Sequence, residues 1–337
     1  MLVESFKIGQ VSAERGSKAY GSLRVGELHN GIPVDLRFGI VNGRKEGPVL
    51  LVTSGMNGAT VSSIEAARRL FSKTSPSELS GTLVVVPIVN EPAFLLRERS
   101  NYLESDVVPT DLFYSFPGKS NGTLTQRLAE IFTREIMSKA NFFVDLQNKG
   151  KRGKYEPFVV IYPGLTPASL QPNLLAFARS FGSRFISDAG GGGSISPKFA
   201  GRPQVVAGSR GIIAIMSQCG GDYRIEEDDI VHQIEGVRNL MKHLAMVEGE
   251  PGTTKDQLVS SQTMDVRSNS GGFLSLSVKL GDRVRKGQIV GEVTDLFCGP
   301  LEKIEAPTDG YVTMITTIPT ISSGDAACNI SVARPLS

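Results

Sequence analysis

The sequence predicts an α/β layer fold followed by a smaller all-β domain, and three observations support this prediction. Apolar, strand-like runs alternate with amphipathic helical segments from about residue 46 to about residue 246. The helical period then disappears, and short segments bounded by glycines continue towards the C-terminus. A glycine-containing turn, Gly55–Thr60, joins the first buried strand to the first helix, at the edge where ligands bind in open parallel sheets.

The elements of the α/β domain, about residues 1–250, follow from hydrophobic period and turn residues. Residues 1 to about 45 contain short alternating segments with glycine turns and are predicted to be a β lead-in. The predicted strands are Val49–Thr53, Thr82–Val86, Phe142–Leu146, Phe158–Tyr162 and Gly211–Met216. The predicted helices are one from Ile64 with Ser62 or Ser63 as its N-cap, then Thr123–Lys139, Pro172–Phe181 and Asp228–Met246.

The second domain is predicted to span residues 255–337. Residues 250–254, Glu-Pro-Gly-Thr-Thr, have the composition of a linker. From Gly271 onward, short turn-and-strand units follow one another without a helical period. We therefore expect a separate all-β unit that packs on the α/β domain.

Composition excludes several classes of function. The chain has 337 residues, 40% of them hydrophobic, and a net charge of +2 with both signs mixed, which argues against nucleic acid or a membrane surface as the partner. No apolar run has membrane-spanning length, and the first residues lack the pattern of a signal peptide. Three widely spaced cysteines indicate no disulfide framework. We expect a cytoplasmic protein.

The turn after the first strand has a recognisable spacing. It reads Gly-Met-Asn-Gly-Ala-Thr from Gly55 to Thr60. This resembles the metal-binding turn of the succinylglutamate desuccinylase/aspartoacylase family, Gly-x-His-Gly-x-Glu, in which the His and the Glu hold zinc. Asn57 stands at the position of the His and Thr60 at the position of the Glu.

Further segments resemble the same family and occur in the family's order. They are residues 86–94, residues 111–118 with Phe113 and Tyr114 in place of a substrate-binding Asn-Arg pair, residues 144–147 with Gln147 at the third zinc-ligand position, and residues 215–221 with Gln218 at the general-base position. The resemblance implies a zinc-carboxypeptidase-like mixed sheet flanked by helices. It also implies that the C-terminal domain is a biotinyl/lipoyl-like barrel sandwich, although no Lys stands in a carrier context.

The substitutions remove the chemistry that the family mechanism requires. Asn57, Thr60 and Gln147 offer neutral amide or hydroxyl oxygens, which are poor ligands for zinc. Gln218 has no titratable proton and cannot act as a general base. We therefore expect no zinc and no other cofactor. The pocket predicted from the resemblance consists of Asn57, Thr60, Gln147, Gln218, Phe113, Tyr114 and Arg99.

Two functions remain open at this stage. The first is a non-catalytic member of the family that binds a small polar or carboxylate-bearing molecule, as a regulatory protein, a homo-oligomer or a companion subunit. The second is an amidohydrolase or deacylase for small N-acyl amino acids or related linear amides, with Asp145, Cys219 or Tyr114 recruited into a non-standard site.

Other polar features have simpler interpretations. His232 and Glu235 share a helix face but lack an evident third metal ligand, and Cys219 is expected to be a small buried residue. Gly190–Gly193 does not have the strand-to-helix context of a phosphate-binding loop. A basic cluster after the third-ligand position is expected to be a solvated loop that could assist carboxylate binding; it consists of Lys149, Lys151, Arg152 and Lys154.

Overall fold

A computed structural model describes residues 5–104, 111–189, 197–252 and 254–336. The first ten strands are β1 (Ser5–Ile8), β2 (Val11–Glu14), β3 (Ser17–Glu27), β4 (Pro33–Asn42), β5 (Lys45–Thr53), β6 (Ser80–Val86), β7 (Phe142–Gln147), β8 (Lys154–Ile161), β9 (Phe185–Asp188) and β10 (Ile213–Gly221). The helices are α1 (Val61–Lys73), α2 (Glu91–Leu96), α3 (Leu124–Ile131), α4 (Gln171–Phe181), α5 (Pro203–Gly208) and α6 (Glu227–His243).

The C-terminal strands complete the inventory of regular elements. They are β11 (Leu258–Arg267), β12 (Gly272–Leu276), β13 (Arg283–Val284), β14 (Ile289–Thr294), β15 (Pro300–Glu305), β16 (Gly310–Ile315), β17 (Thr320–Ile321) and β18 (Ala326–Pro335). Helical structure is absent from the described residues 254–336.

A mixed sheet of 12 strands, in the order β13-β16-β18-β11-β9-β8-β10-β7-β5-β6-β4-β3, organises the molecule. Its four central strands β10, β7, β5 and β6 are parallel, whereas β8 and β4 run antiparallel to their neighbours β10 and β6. The mixed α/β architecture expected from the sequence is confirmed. The carboxyl ends of β5, β7 and β10 lie at one edge, where the polar motifs are found.

The two faces of this sheet bury separate apolar cores. On β10, Ala214 and Met216 belong to one core and Ile213 and Ile215 to the other, as strand alternation requires. Helices α1, α4 and α6 cover the second face, whereas α3 and α5 contribute to the first. The candidate site lies on the first face, beyond Met216.

The C-terminal strands form two layers around a third apolar core, which includes Val290, Val293 and Ile330. One layer is the four-stranded sheet β15-β14-β12-β17. The other layer continues the large sheet, because β11 pairs in parallel with β9 and β16 pairs antiparallel with β8. The C-terminal region is therefore rich in β-structure but shares hydrogen-bonded strands with the α/β part. Its biotinyl/lipoyl-like identity stays a prediction.

Several element boundaries differ from those predicted. Helix α1 begins at Val61 with Thr60 as its N-cap, so Ser62 and Ser63 are not caps but buried residues of the first turn. Strand β10 extends to Gly221, which places Gln218 inside the strand and not beyond its end. The hydroxyls of Ser62 and Ser63 instead accept hydrogen bonds from Asn148 and Gln233, which are distant in sequence and so absent from the local pattern.

The predicted helix Thr123–Lys139 is helical throughout but not uniform. Its α-helical part ends at Ile131, and a π-helical turn, Phe132–Ile136, and a 3-10 turn, Met137–Lys139, complete it. The Thr123 hydroxyl and the Gln126 side chain form a capping box at its start. Among the described residues, no helix is long and apolar enough to span a membrane.

Candidate functional site

Two glutamines lie side by side at the edge of the central sheet. Gln147 ends β7, and Gln218 is its register partner on the parallel strand β10. The neighbour of Gln218 on its other side is Phe158 of β8. Two positions that are about 70 residues apart in sequence thus become adjacent because parallel strands are about 5 Å apart.

A buried carboxyl group lies beside Gln147. Asp145 is fully buried, and its Oδ1 accepts a hydrogen bond of 2.7 Å from the Thr53 hydroxyl. Nε2 of Gln147 lies 3.1 Å from both carboxylate oxygens of Asp145. Burial raises the pKa of Asp145 to about 7, although the hydrogen bonds from Thr53 and Gln147 favour the ionised form. The Gln147 amide nitrogen is thereby committed to Asp145.

The turn before α1 is stabilised by its own polar side chains. Oδ1 of Asn57 accepts from the Ala59 backbone N–H at 2.9 Å, and the Thr60 hydroxyl donates to the Asn57 carbonyl at 2.8 Å. Thr60 is completely buried, so its hydroxyl holds the turn together. Gly58 is required for a close approach, because a Cβ there would lie 2.2 Å from the backbone of Ala93 in α2.

Hydrogen bonds connect this turn and the first helix to the end of β7. Asn148 donates to the Ser62 hydroxyl at 2.8 Å, and Gln233 of α6 donates to the Ser63 hydroxyl and to the Gln147 carbonyl, both at 3.0 Å. A Cβ on Gly150 would lie 3.5 Å from Nδ2 of Asn57, so the loop after β7 packs against the turn. The structure brings Asn57, Gln147 and Gln218 to one edge of the sheet, and Thr60 is buried within the turn that carries Asn57.

Arg202, which the sequence analysis did not single out, lies over this edge. Its Nη2 donates to the Tyr114 hydroxyl at 2.9 Å. Its guanidinium carbon is 5.2 Å from the ring centre of Phe113, 4.7 Å from that of Tyr114 and 5.4 Å from that of Phe199. Arg202 and Asp145 also interact electrostatically, and this interaction lowers the pKa of Asp145. Phe113 and Tyr114, at the family's Asn-Arg positions, therefore hold an arginine from another segment.

Arg99 and Lys149 add positive charge to the same region. Arg99 pairs with Asp111 at 2.9 Å and lies 5.5 Å from the Phe113 ring centre, but its side chain is 51% exposed. Nζ of Lys149 lies 5.6 Å from the ring centre of Tyr155. Burial and the charge of Arg99 lower the pKa of Lys149. This region suits an anionic ligand better than a cationic one.

The other members of the basic cluster form ion pairs or are exposed to solvent. Lys151 pairs with Glu98, and Lys154 pairs with Glu226 at 2.6 Å. Arg152 is exposed. Lys151 and Arg152 agree with the interpretation as a solvated loop, whereas Lys154 is the first residue of β8 and Lys149 is partly buried.

A cavity of about 470 Å³ opens beside the paired glutamines, between β8, β9 and the C-terminal strands; we call it the side cavity. Its lining includes Arg202 of the site and Phe158, the register partner of Gln218. Its remaining lining residues are Tyr155, Phe185, Ser187, Phe199, Ser260, Thr263, Asp265, Thr313, Asn329 and Ser331. The described cavity thus lies one strand away from the residues that the sequence suggested. In the sequence, the polar residues of this cavity could be recognised only as polar positions on short strands. Such a pattern does not show which distant strand each of them faces.

Three other candidates have structural partners. Burial and the neighbouring Asp229 raise the pKa of Cys219, so its thiol is a poor nucleophile at neutral pH. His232 shares a hydrogen bond of 2.9 Å with the Ser183 hydroxyl, and Glu235 pairs with Arg238 at 3.0 Å. The segment Gly190–Gly193 lies outside the described residues.

The donor set at the edge does not fit zinc. The described residues contain no group of three His, Cys, Asp or Glu side chains placed to hold a metal ion. The Asn57 oxygen and the Gln147 nitrogen are engaged within the protein, and neutral amides are weak ligands for zinc. That the protein holds no zinc stays a prediction.

Comparison with known proteins identifies the scaffold. A family model for the succinylglutamate desuccinylase/aspartoacylase catalytic domain matches residues 46–244. The chain belongs to this family. It is 26% identical over 299 residues to the N-alpha-acetyl-L-2,4-diaminobutyric acid deacetylase of Halomonas elongata, which covers 86% of this chain and 83% of that protein.

Solved structures with the same fold cover most of the chain. A succinylglutamate desuccinylase/aspartoacylase from Rhodobacter sphaeroides has a TM-score of 0.80 at 23% identity, covering 95% of this chain and 96% of the other. The product-bound ectoine utilization protein EutE (DoeB) from Ruegeria pomeroyi has a TM-score of 0.82 at 23% identity, with the same coverage. At this level of identity the similarity demonstrates the fold, and function has to be argued from the site.

Proposed function

We propose that this family member binds a small carboxylate-bearing N-acyl amino acid or related amide and does not hydrolyse it by the family's zinc mechanism. The observation that supports this most directly is the pair Gln147 and Asp145. The side chain at the third zinc-ligand position donates its amide N–H groups to the buried carboxylate at 3.1 Å. With its amide nitrogen bonded to Asp145, Gln147 can offer zinc only a neutral amide oxygen, which is a weak ligand.

The electrostatics of the edge support an anionic ligand. Arg202, Arg99 and Lys149 surround the aromatic residues of the site. Arg99 pairs with Asp111, whereas Asp145 is buried with a raised pKa. Gln218 can donate and accept hydrogen bonds but cannot remove a proton from water. The site therefore has the groups required to bind and orient an amide with a carboxylate, without a strong base.

Calorimetric titration with N-acetyl amino acids, in parallel with an assay for released acetate, tests this proposal. We expect saturable binding at neutral pH without acetate release above the uncatalysed rate. Arg202→Gln should weaken binding about tenfold or more, because a hydrogen bond to a charged group contributes roughly 1.5–3 kcal/mol. Zinc-dependent turnover by the unmodified protein would contradict the proposal.

A second candidate function is a deacylase with a non-standard site. It is supported by the similarity to the deacetylase of Halomonas elongata and by the raised pKa of Asp145, which would let this carboxyl group exchange a proton near neutral pH. If this function is correct, acetate release should occur and Asp145→Asn should abolish it, whereas Cys219→Ala should leave it unchanged. Absence of turnover across a panel of N-acyl amino acids would exclude it.

A further inference from the structure

The side cavity has two chemically different walls. Tyr155, Phe158, Phe185 and Phe199 supply aromatic rings from β8, β9 and the segment before α5. Facing residues of β11, β16 and β18 supply hydroxyl and amide groups. They also supply the carboxylate of Asp265, which is exposed, pairs with Arg267 and accepts a hydrogen bond of 2.7 Å from the Asn329 amide. Ligand pockets typically combine an apolar surface with a few convergent polar groups, and a volume of about 470 Å³ lies within their usual range. An N-acetylated small amino acid would fill only part of it.

Three hydroxyl groups form a row along the polar wall. The Ser331 hydroxyl lies 2.8 Å from the Thr263 hydroxyl and 2.8 Å from the Thr313 hydroxyl. Thr313 and Ser331 are buried, whereas Thr263 is more accessible. Each hydroxyl has one proton and two lone pairs, so the two bonds within the row leave one proton and several lone pairs uncommitted. The row can therefore both donate to a ligand and accept from it.

Arg202 supplies a positive charge that forms no ion pair within the described residues, although Asp145 is close enough to interact with it electrostatically. In the part of the chain that the structure describes, no carboxylate lies within ion-pair distance of its guanidinium group, which donates to the neutral Tyr114 hydroxyl. The three surrounding rings partly shield this charge from water. A partly buried guanidinium group beside a cavity is well suited to a carboxylate, which it can bind through two parallel hydrogen bonds.

We propose that the side cavity binds an aromatic carboxylate of the N-aroyl amino acid class. The carboxylate pairs with Arg202, the ring packs among Phe158, Phe185 and Phe199, and the amide contacts the hydroxyl row of Thr263, Ser331 and Thr313. This inference rests on the proposed function, since it specifies the ligand of the same edge. It also makes the C-terminal strands part of the ligand site and not only a support for the α/β domain.

Calorimetric titration with three probes tests this assignment. N-benzoylglycine has all the required groups, N-acetylglycine lacks the ring, and 3-phenylpropanoate lacks the amide. We expect N-benzoylglycine to bind about tenfold more tightly than N-acetylglycine, because the ring buries additional apolar surface. Thr313→Val, which replaces a hydroxyl by a methyl group, should weaken N-benzoylglycine about threefold or more and leave 3-phenylpropanoate nearly unchanged.

Thr320→Val, at an exposed position of β17, is the matched control and should alter neither affinity. Thermal unfolding of each variant shows whether the fold is retained, and the ratio of the affinities for N-benzoylglycine and 3-phenylpropanoate reports recognition independently of stability.

Equal binding of N-benzoylglycine and N-acetylglycine, with no effect of Thr313→Val, overturns the cavity assignment and leaves the proposed function intact. Binding of 3-phenylpropanoate alone, lost in Arg202→Gln, retains the cavity as an aromatic carboxylate site but excludes the N-aroyl class and the proposed function. Absence of binding by all three probes overturns both.

Discussion

Gln147 lies directly beside Gln218 in the parallel pair β7–β10, and its amide is hydrogen-bonded to the buried carboxylate of Asp145. The resemblance in sequence places these two residues at the positions of a zinc ligand and a general base in the family. Here both side chains are amides without a titratable proton. This pair of side chains can donate and accept hydrogen bonds but cannot remove a proton from water.

The first prediction concerns zinc. We expect the purified, untagged protein to contain no stoichiometric zinc by elemental analysis, because its donor groups are neutral. The variant Asn57→His, Thr60→Glu, Gln147→His, Gln218→Glu should gain zinc affinity, with Asp145 accepting a hydrogen bond from the new imidazole. The same variant without Thr60→Glu lacks the anionic ligand and is the control. About one zinc per unmodified chain, removable only by strong chelators, would contradict this prediction.

The second prediction concerns the pH dependence of stability through Asp145. Its pKa is about 7 in the folded protein against an ordinary value of 3.8, so the protonated form is favoured by folding. The unfolded chain loses this proton first as pH rises above about 4. Asp145 should therefore lower the free energy of unfolding progressively between about pH 4 and pH 7, by up to about 4 kcal/mol, with no further change above that range.

Asp145→Asn isolates this effect because asparagine does not titrate. Urea unfolding of both proteins at several pH values between 4 and 8 should show their difference in stability shifting in favour of the variant as pH rises. The Asn also replaces an acceptor by a donor facing Gln147, so only the pH-dependent part of the difference is diagnostic. A difference that does not vary with pH would show that the carboxyl group titrates normally.

The third prediction concerns the close packing of the turn before α1. Gly58→Ala should be strongly destabilising, because the new Cβ would lie 2.2 Å from backbone atoms of Ala93, which cannot move without displacing α2. Gly271→Ala is a suitable control, since the nearest atom to its Cβ would be 3.6 Å away. We expect the midpoint of thermal unfolding to fall by several degrees in the first variant and by little in the second. Equal effects would mean that the turn is loosely packed.

The fourth prediction concerns the three cysteines. Cys298 is exposed, whereas burial raises the pKa of Cys219 and raises that of Cys328 to about 12. Iodoacetamide should therefore add one label per native chain at neutral pH, as measured by intact mass, and three after denaturation. Cys298→Ser should abolish native labelling. Rapid labelling of native Cys219 would reopen its assignment as a nucleophile.

A fifth prediction concerns the buried amide that joins α6 to the site. Gln233 is completely buried and donates to the Gln147 carbonyl and the Ser63 hydroxyl. Gln233→Leu should lower the free energy of unfolding by about 1–3 kcal/mol, because it leaves a buried carbonyl without that donor. Gln262→Leu, at an exposed position of β11, should have little effect in the same urea titration. Comparable losses would indicate that water replaces the missing donor.

The sequence by itself determined the alternation of strands and helices, the all-β character of the C-terminal region and the family, since each depends on local period or on short motifs in order. The turn Gly55–Thr60 and the glutamines at positions 147 and 218 could be identified from the sequence for the same reason. Only the tertiary structure decided that β11 and β16 join the large sheet and that Arg202 lies against Phe113 and Tyr114. It also assembled the hydroxyl row of Thr263, Thr313 and Ser331. Strand alternation indicates which face of a sheet a residue occupies but not which distant strand lies beside it. Strand pairing depends on how the complete fold buries its apolar residues, and a local pattern does not contain this information.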